Sequence, residues 1–172
     1  MKTLRFIGMA LLAVVLSVNF AACSDDDDDE EAELIKTIHV ENGGTLATLM
    51  TADEQLHVTD LTLSGFLNGT DIGFIRGMRN LKKADFTDAR IIGGGSYNVD
   101  DYTAYQTSDN IFPFRCFSPL SPSDVSQLCE IKLPNSIIEI GEEAFSFCKS
   151  LTSIKIPNGV TKIGLWAFVW CI

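Results

Sequence analysis

Hydrophobic positions toward the end of the chain recur on a fixed ruler. Leu128, Ile131 and Leu133 are spaced L-x-x-I-x-L, and Glu130 and Lys132 alternate with the last two. Alternation of this kind predicts a short strand with one buried face. Pro134 ends the strand, because it donates no ladder hydrogen bond. Ile137 and Ile140 return to the core, Gly141 offers a turn, and Ala144 with Phe145 fills the opposite wall. An offset of 23 reproduces the series: Leu151, Ile154, Ile156, Pro157, Asn158, Val160, Ile163, Gly164, Ala167, Phe168 and Cys171. One unit cannot bury its own apolar face, so tandem recurrence predicts stacked units.

The rhythm starts earlier than the clear copies. Val58, Leu61 and Leu63 are followed, at the same offset, by Leu81, Ala84 and Phe86. Residues 34–40 alternate weakly and predict a first capping strand. Thr45 is placed to cap a short helix holding Leu46, Leu49 and Met50. Asn68-Gly69-Thr70-Asp71 predicts a turn and a helix start, with Ile72, Ile75 and Met78 on the helix. The same triplet has the form of a glycosylation sequon, which the turn reading displaces. Residues 92–109, with three consecutive glycines and three tyrosines, read as a long loop. Ile131 stands at an offset of 47 from Ala84, close to two periods, so a degenerate unit is expected between them, for about five units in all. Phe112-Pro113-x-x-Cys116-Phe117 mimics Ile140-Gly141-x-x-Ala144-Phe145. Five extra residues are placed around 118–124.

Segments 128–148 and 151–171 resemble the BspA-like leucine-rich repeats, which share their Pro, Gly, Ala-Phe and Cys positions. Residues 61–91 resemble the more divergent N-terminal repeats of such proteins, more loosely. The resemblance implies an α/β repeat fold, a leucine-rich-repeat solenoid of short parallel strands joined by irregular or short helical segments. It also implies a cell-surface protein that binds other macromolecules, with no enzymatic activity. The expected organisation is a signal peptide (1–22), an acidic tether (23–33), an N-terminal cap with degenerate repeats and a loop insertion (34–127), and clear repeats (128–172).

Charge sharpens the N-terminal reading. Lys2 and Arg5 precede an apolar run too short for a convincing membrane span, and Phe20-Ala21-Ala22-Cys23 follows. This resembles a bacterial lipobox, with Cys23 lipidated and anchored in the outer membrane; the alternative is an ordinary signal peptide and an incidental thiol. Residues 25–31 and Glu33 hold 8 of the chain's 23 acidic groups, leaving 15 acidic and 11 basic beyond them. Such a run is a solvated tether. It resembles the signal that sends some lipoproteins to the cell surface, and it lacks the spaced ligands and bend glycine of a calcium loop. No basic patch points to nucleic acid.

Catalytic chemistry is not written here. The sequence has no nucleophile elbow, phosphate loop or zinc spacing, so no catalytic residue, metal or cofactor is assigned. Glu142-Glu143 are neighbours rather than an opposed pair. His39 and His57 read as surface residues. Cys148 and Cys171 occupy equivalent positions, which favours packed thiols over a bridge between them. The candidate binding surface comprises the outward strand positions Thr62, Asp85, Glu130, Lys132, Ser153 and Lys155, and the loop tyrosines Tyr97, Tyr102 and Tyr105. The ligand class is a protein, with a glycan as the alternative. Leu165, Trp166 and Trp170 make the last unit unusually apolar. That predicts a continuation, a partner, a truncated product or self-association at this end.

Overall fold

The computed structural model describes residues 33–119 and 126–171. Cys23, the signal segment and the acidic run lie outside the described residues, as does most of the 118–124 insertion. Parallel pairing organises the described backbone. Strands β1 (Leu34–Val40), β2 (Val58–Leu67), β3 (Lys83–Ile91), β7 (Glu130–Lys132) and β9 (Ser153–Lys155) form one sheet in the order β1-β2-β3-β7-β9. Leu61 lies opposite Ala84, Ala84 opposite Ile131 and Ile131 opposite Ile154. The repeat offset read from the sequence is therefore the register. The expected first strand is present, and it pairs with β2 along its whole length.

A second sheet stacks the other half of each unit. Strands β6 (Ile111–Phe112), β8 (Glu139–Ile140) and β10 (Lys162–Ile163) pair in parallel, with Phe112 opposite Ile140 and Ile140 opposite Ile163. Gly141 serves close approach here. A Cβ on it would sit 2.5 Å from the Phe112 carbonyl oxygen, and one on Gly164 would collide with the Glu142 nitrogen. Between the sheets the phenylalanines form a column. Ring centroids are 6.2 Å apart for Phe86–Phe117, 5.9 Å for Phe117–Phe145 and 5.3 Å for Phe145–Phe168. The thiols step alongside: Cys148 donates to the Phe117 carbonyl at 3.4 Å and Cys171 to that of Phe145 at 2.9 Å. Both are free, and burial pushes the Cys148 thiol up to about 12.

The interval from Ala84 to Ile131 holds one unit, not two, because β3 pairs directly with β7. Phe112 follows Ala84 at an offset of 28, and Ile140 follows Ile131 at an offset of 9. The difference, nineteen, is inserted before β6. Five more positions follow Phe117, in line with the spacing, and together these account for the extra length. The larger insertion makes a hairpin rather than an open loop: β4 (Gly94–Asn98) pairs antiparallel with β5 (Ala104–Thr107). It packs on helix α2 (Gly69–Arg76), whose Ile72 and Ile75 are buried in the common core.

The N-terminal turns are organised by one buried carboxylate. The expected helix after Thr45 is a single 3-10 turn, Leu46–Thr48, and the Thr45 side chain does not cap it. Its hydroxyl donates instead to the Asn42 carbonyl at 2.7 Å. Asp71, only 1% exposed, does the capping from α2. It accepts from the backbone N–H groups of Gly44 at 2.5 Å, Leu46 at 2.9 Å and Asn68 at 2.9 Å. Asn68 in turn caps α2 by accepting from Thr70 N–H, so the sequon asparagine is a capping residue. A further short helix, α1 (Ala52–His57), starts with a reciprocal Thr51–Glu54 capping box.

Left-handed backbone recurs at matched places. Arg115, Glu143 and Trp166 have φ of 48°, 52° and 55°, and Phe147 and Trp170 have 60° and 59°. Each set repeats with the units, so the conformation belongs to the repeat rather than to the residue type.

Removing the Asp71 carboxylate leaves buried N–H groups unpaired, and Asp71→Ala should cost about 3 kcal/mol. Phe145→Ala opens the middle of the ring column and should cost about 3–5 kcal/mol, whereas Phe147→Ala, at an exposed position, should stay within about 0.5 kcal/mol. Urea midpoints at unchanged slope check all three.

Candidate binding face

Side-chain alternation sends every second residue of the five-stranded sheet outward. Register then gathers these residues into two rows. One runs Thr37, Thr62, Asp85, Lys132, Lys155; the other runs Ile35, Asp60, Lys83, Glu130, Ser153. The six strand residues chosen from the sequence thus share one face: Thr62, Glu130, Lys132, Ser153 and Lys155 are exposed and Asp85 is half-buried. Sequence reading misses Asp60 and Lys83. Carrying the position of Glu130 back along the same offsets finds both.

Opposite charges meet across the strands at two places. Lys132 Nζ lies 2.9 Å from Asp85 Oδ2, and Lys83 Nζ lies 3.4 Å from Asp60 Oδ1. Partial burial pushes the Asp85 carboxyl up, but hydrogen bonding from Thr87 and Lys132 outweighs it and the net direction is down. The hydrogen bond to Asp85 pushes Lys132 up, and the Asp60 charge does the same for Lys83. Lys155, opposite Lys132, has no ion-pair partner among the described residues.

The tyrosines divide. Tyr97 is not a surface residue: it is 3% exposed, and its hydroxyl donates to the Phe114 carbonyl at 2.8 Å. Burial pushes that hydroxyl's pKa up. Tyr102 is 96% exposed at the hairpin tip. Tyr105 stacks on Phe114 with centroids 4.3 Å apart. Because the hairpin packs on α2, on the core side of the sheet, Tyr102 and Tyr105 do not join the two rows. His39 and His57 are exposed, in agreement with the sequence reading. In the last unit, Leu165, Trp166 and Trp170 are also exposed. Among the described residues no cluster of His, Cys, Asp or Glu could hold a metal, and no helix is long and apolar enough to cross a membrane.

The Asp85–Lys132 pair sets a pH window. A lowered carboxyl contributes stability that is complete above its unfolded value and is lost as pH falls through the folded one. A raised ammonium contributes below its unfolded value and is lost as pH rises through the folded one. The pair therefore acts between about pH 4 and about pH 10. Lys132→Met should return the Asp85 carboxyl toward its ordinary value, as read by NMR titration of its side-chain carbon.

None of the curated proteins matches the chain. Residues 122–172 match the family model of the BspA type leucine-rich repeat region, a model of six copies. That segment contains β7 to β10, in which both sheets advance by one repeat offset, and the match supports the BspA-like leucine-rich-repeat family for this chain.

Proposed function

We propose that this chain is a non-catalytic interaction module of the cell surface: a leucine-rich-repeat solenoid anchored in the outer membrane through lipidated Cys23. The acidic run after Cys23 acts as its tether. It contacts another protein through the outer face of its five-stranded sheet and so serves adhesion. The observation that carries this reading is the pair of in-register rows. They set two opposite-charge pairs, Asp60–Lys83 and Asp85–Lys132, on neighbouring strands about 4.8 Å apart, and leave Lys155 beside Lys132 at the end of one row. A rigid grid of this kind selects partners by charge complementarity more than by apolar area. Lys155, without an ion partner of its own among the described residues, calls for an acidic group on the partner. The BspA-type repeats support a protein-binding or adhesion-type surface role.

Two measurements test this. Protease added to intact cells should remove the chain, and Cys23→Ala should abolish its membrane fractionation; resistance of the lipidated chain to shaving overturns the surface assignment. Cells carrying Lys155→Glu with Thr62→Arg should lose at least about tenfold of their adhesion to protein-coated surfaces. Unchanged adhesion overturns the sheet face as the contact.

A further inference from the structure

The hairpin does more than lengthen one unit. Where it meets the repeats it forms an open cleft of about 550 Å³, within the volume range that holds small ligands. Three separate stretches of chain line it. The hairpin contributes Asp100, Tyr105 and Gln106, the first irregular segment contributes Phe114 and Arg115, and the next unit contributes Glu142 and Glu143. None of these belongs to the sheet rows.

Its walls combine an aromatic surface with donors and acceptors. Tyr105 and Phe114 stack, and the Arg115 guanidinium carbon lies 5.3 Å from the Phe114 centroid. Arg115 is fixed by Glu143, whose Oε2 accepts from Nε at 2.8 Å and lies 2.7 Å from Nη2. This leaves Arg115 Nη1 and Glu143 Oε1 without side-chain partners among the described residues. Among those residues the Glu142 carboxylate and the Gln106 amide are equally unengaged. Asp100 Oδ1 accepts from the N–H groups of Tyr102 at 2.9 Å and Thr103 at 2.7 Å. The Tyr102 N–H bond and those from Thr103 hold that carboxyl low.

Charge narrows the ligand. Three carboxylates face one guanidinium, so anions are repelled. The guanidinium stands where a cation would seek the aromatic wall, so a cation is also poorly served. A ligand whose hydroxyls both donate and accept, and whose C–H face packs on rings, uses every group present. We propose that this cleft is a binding site for a neutral saccharide, separate from the sheet face. The insertion thereby gives the chain a second recognition surface of a different chemical class.

Calorimetric titration of the purified full chain tests this with neutral oligosaccharides (maltohexaose, mannohexaose and a β-galactan hexamer). Oligogalacturonate and a lysine-rich peptide serve as charged controls. At least one neutral oligosaccharide should bind. Gln106→Ala and Glu142→Ala, both at exposed positions, should each weaken it about tenfold without moving Tm. Thr62→Arg, on the sheet face, should leave it unchanged. Absence of binding by all three neutral probes overturns the proposal. So does binding indifferent to both cleft substitutions, binding lost with Thr62→Arg, equal binding of oligogalacturonate, or binding of the basic peptide alone.

Discussion

Parallel pairing between strands of successive units is the constraint from which the remaining structure follows. A strand as short as Glu130–Lys132 is not stable alone. It persists because Ile131 is held opposite Ala84 on one side and Ile154 on the other. A slip of one residue would turn Ile131 to solvent and bring Glu130 or Lys132 against the phenylalanines. The same register brings Gly141 against the Phe112 carbonyl and Phe145 against Phe168. Neither glycine nor ring can change independently of the strand that places it.

Much of this is legible because the repeat is a spacing, and a spacing survives in one sequence. Residues 128–171 announce their register without ambiguity. Ala84 and Leu61 do so more faintly, since only the apolar triplet is kept. Legibility fails where the period is broken. The hairpin at 94–107 is glycine-rich and polar, so nothing in its pattern distinguishes a paired ribbon from a loop. Tyr97 reads as a contact residue because tyrosines in polar stretches commonly are, yet the Phe114 carbonyl satisfies its hydroxyl and lets it be buried. The interval from Ala84 to Ile131 invites division by the period. Arithmetic alone cannot separate an extra unit from an insertion of the same length.

Local signals mislead for a related reason. Thr45 precedes an apolar run, which is how a cap is recognised, but the N–H groups at that turn are claimed by Asp71 from another element. Meanwhile Thr51-x-x-Glu54 carries the full capping signature and does start a helix. The strand part of the candidate face does point outward, because alternation fixes which side chains face solvent. It is incomplete in extent, because Asp60 and Lys83 emerge only when one position is carried through every strand.

The left-handed position shared by Arg115, Glu143 and Trp166 has a consequence for how such an array diversifies. A side chain there is tolerated at a conformational cost of about 1 kcal/mol or more whatever its identity. The backbone therefore does not choose among them. A cation, an anion and an indole occupy one slot in three successive units, and the first two grip each other across the interval. Each unit thus carries a socket whose occupant can be exchanged while the array's spacing is kept. The chain behaves as a row of identical sockets into which different chemistry is fitted.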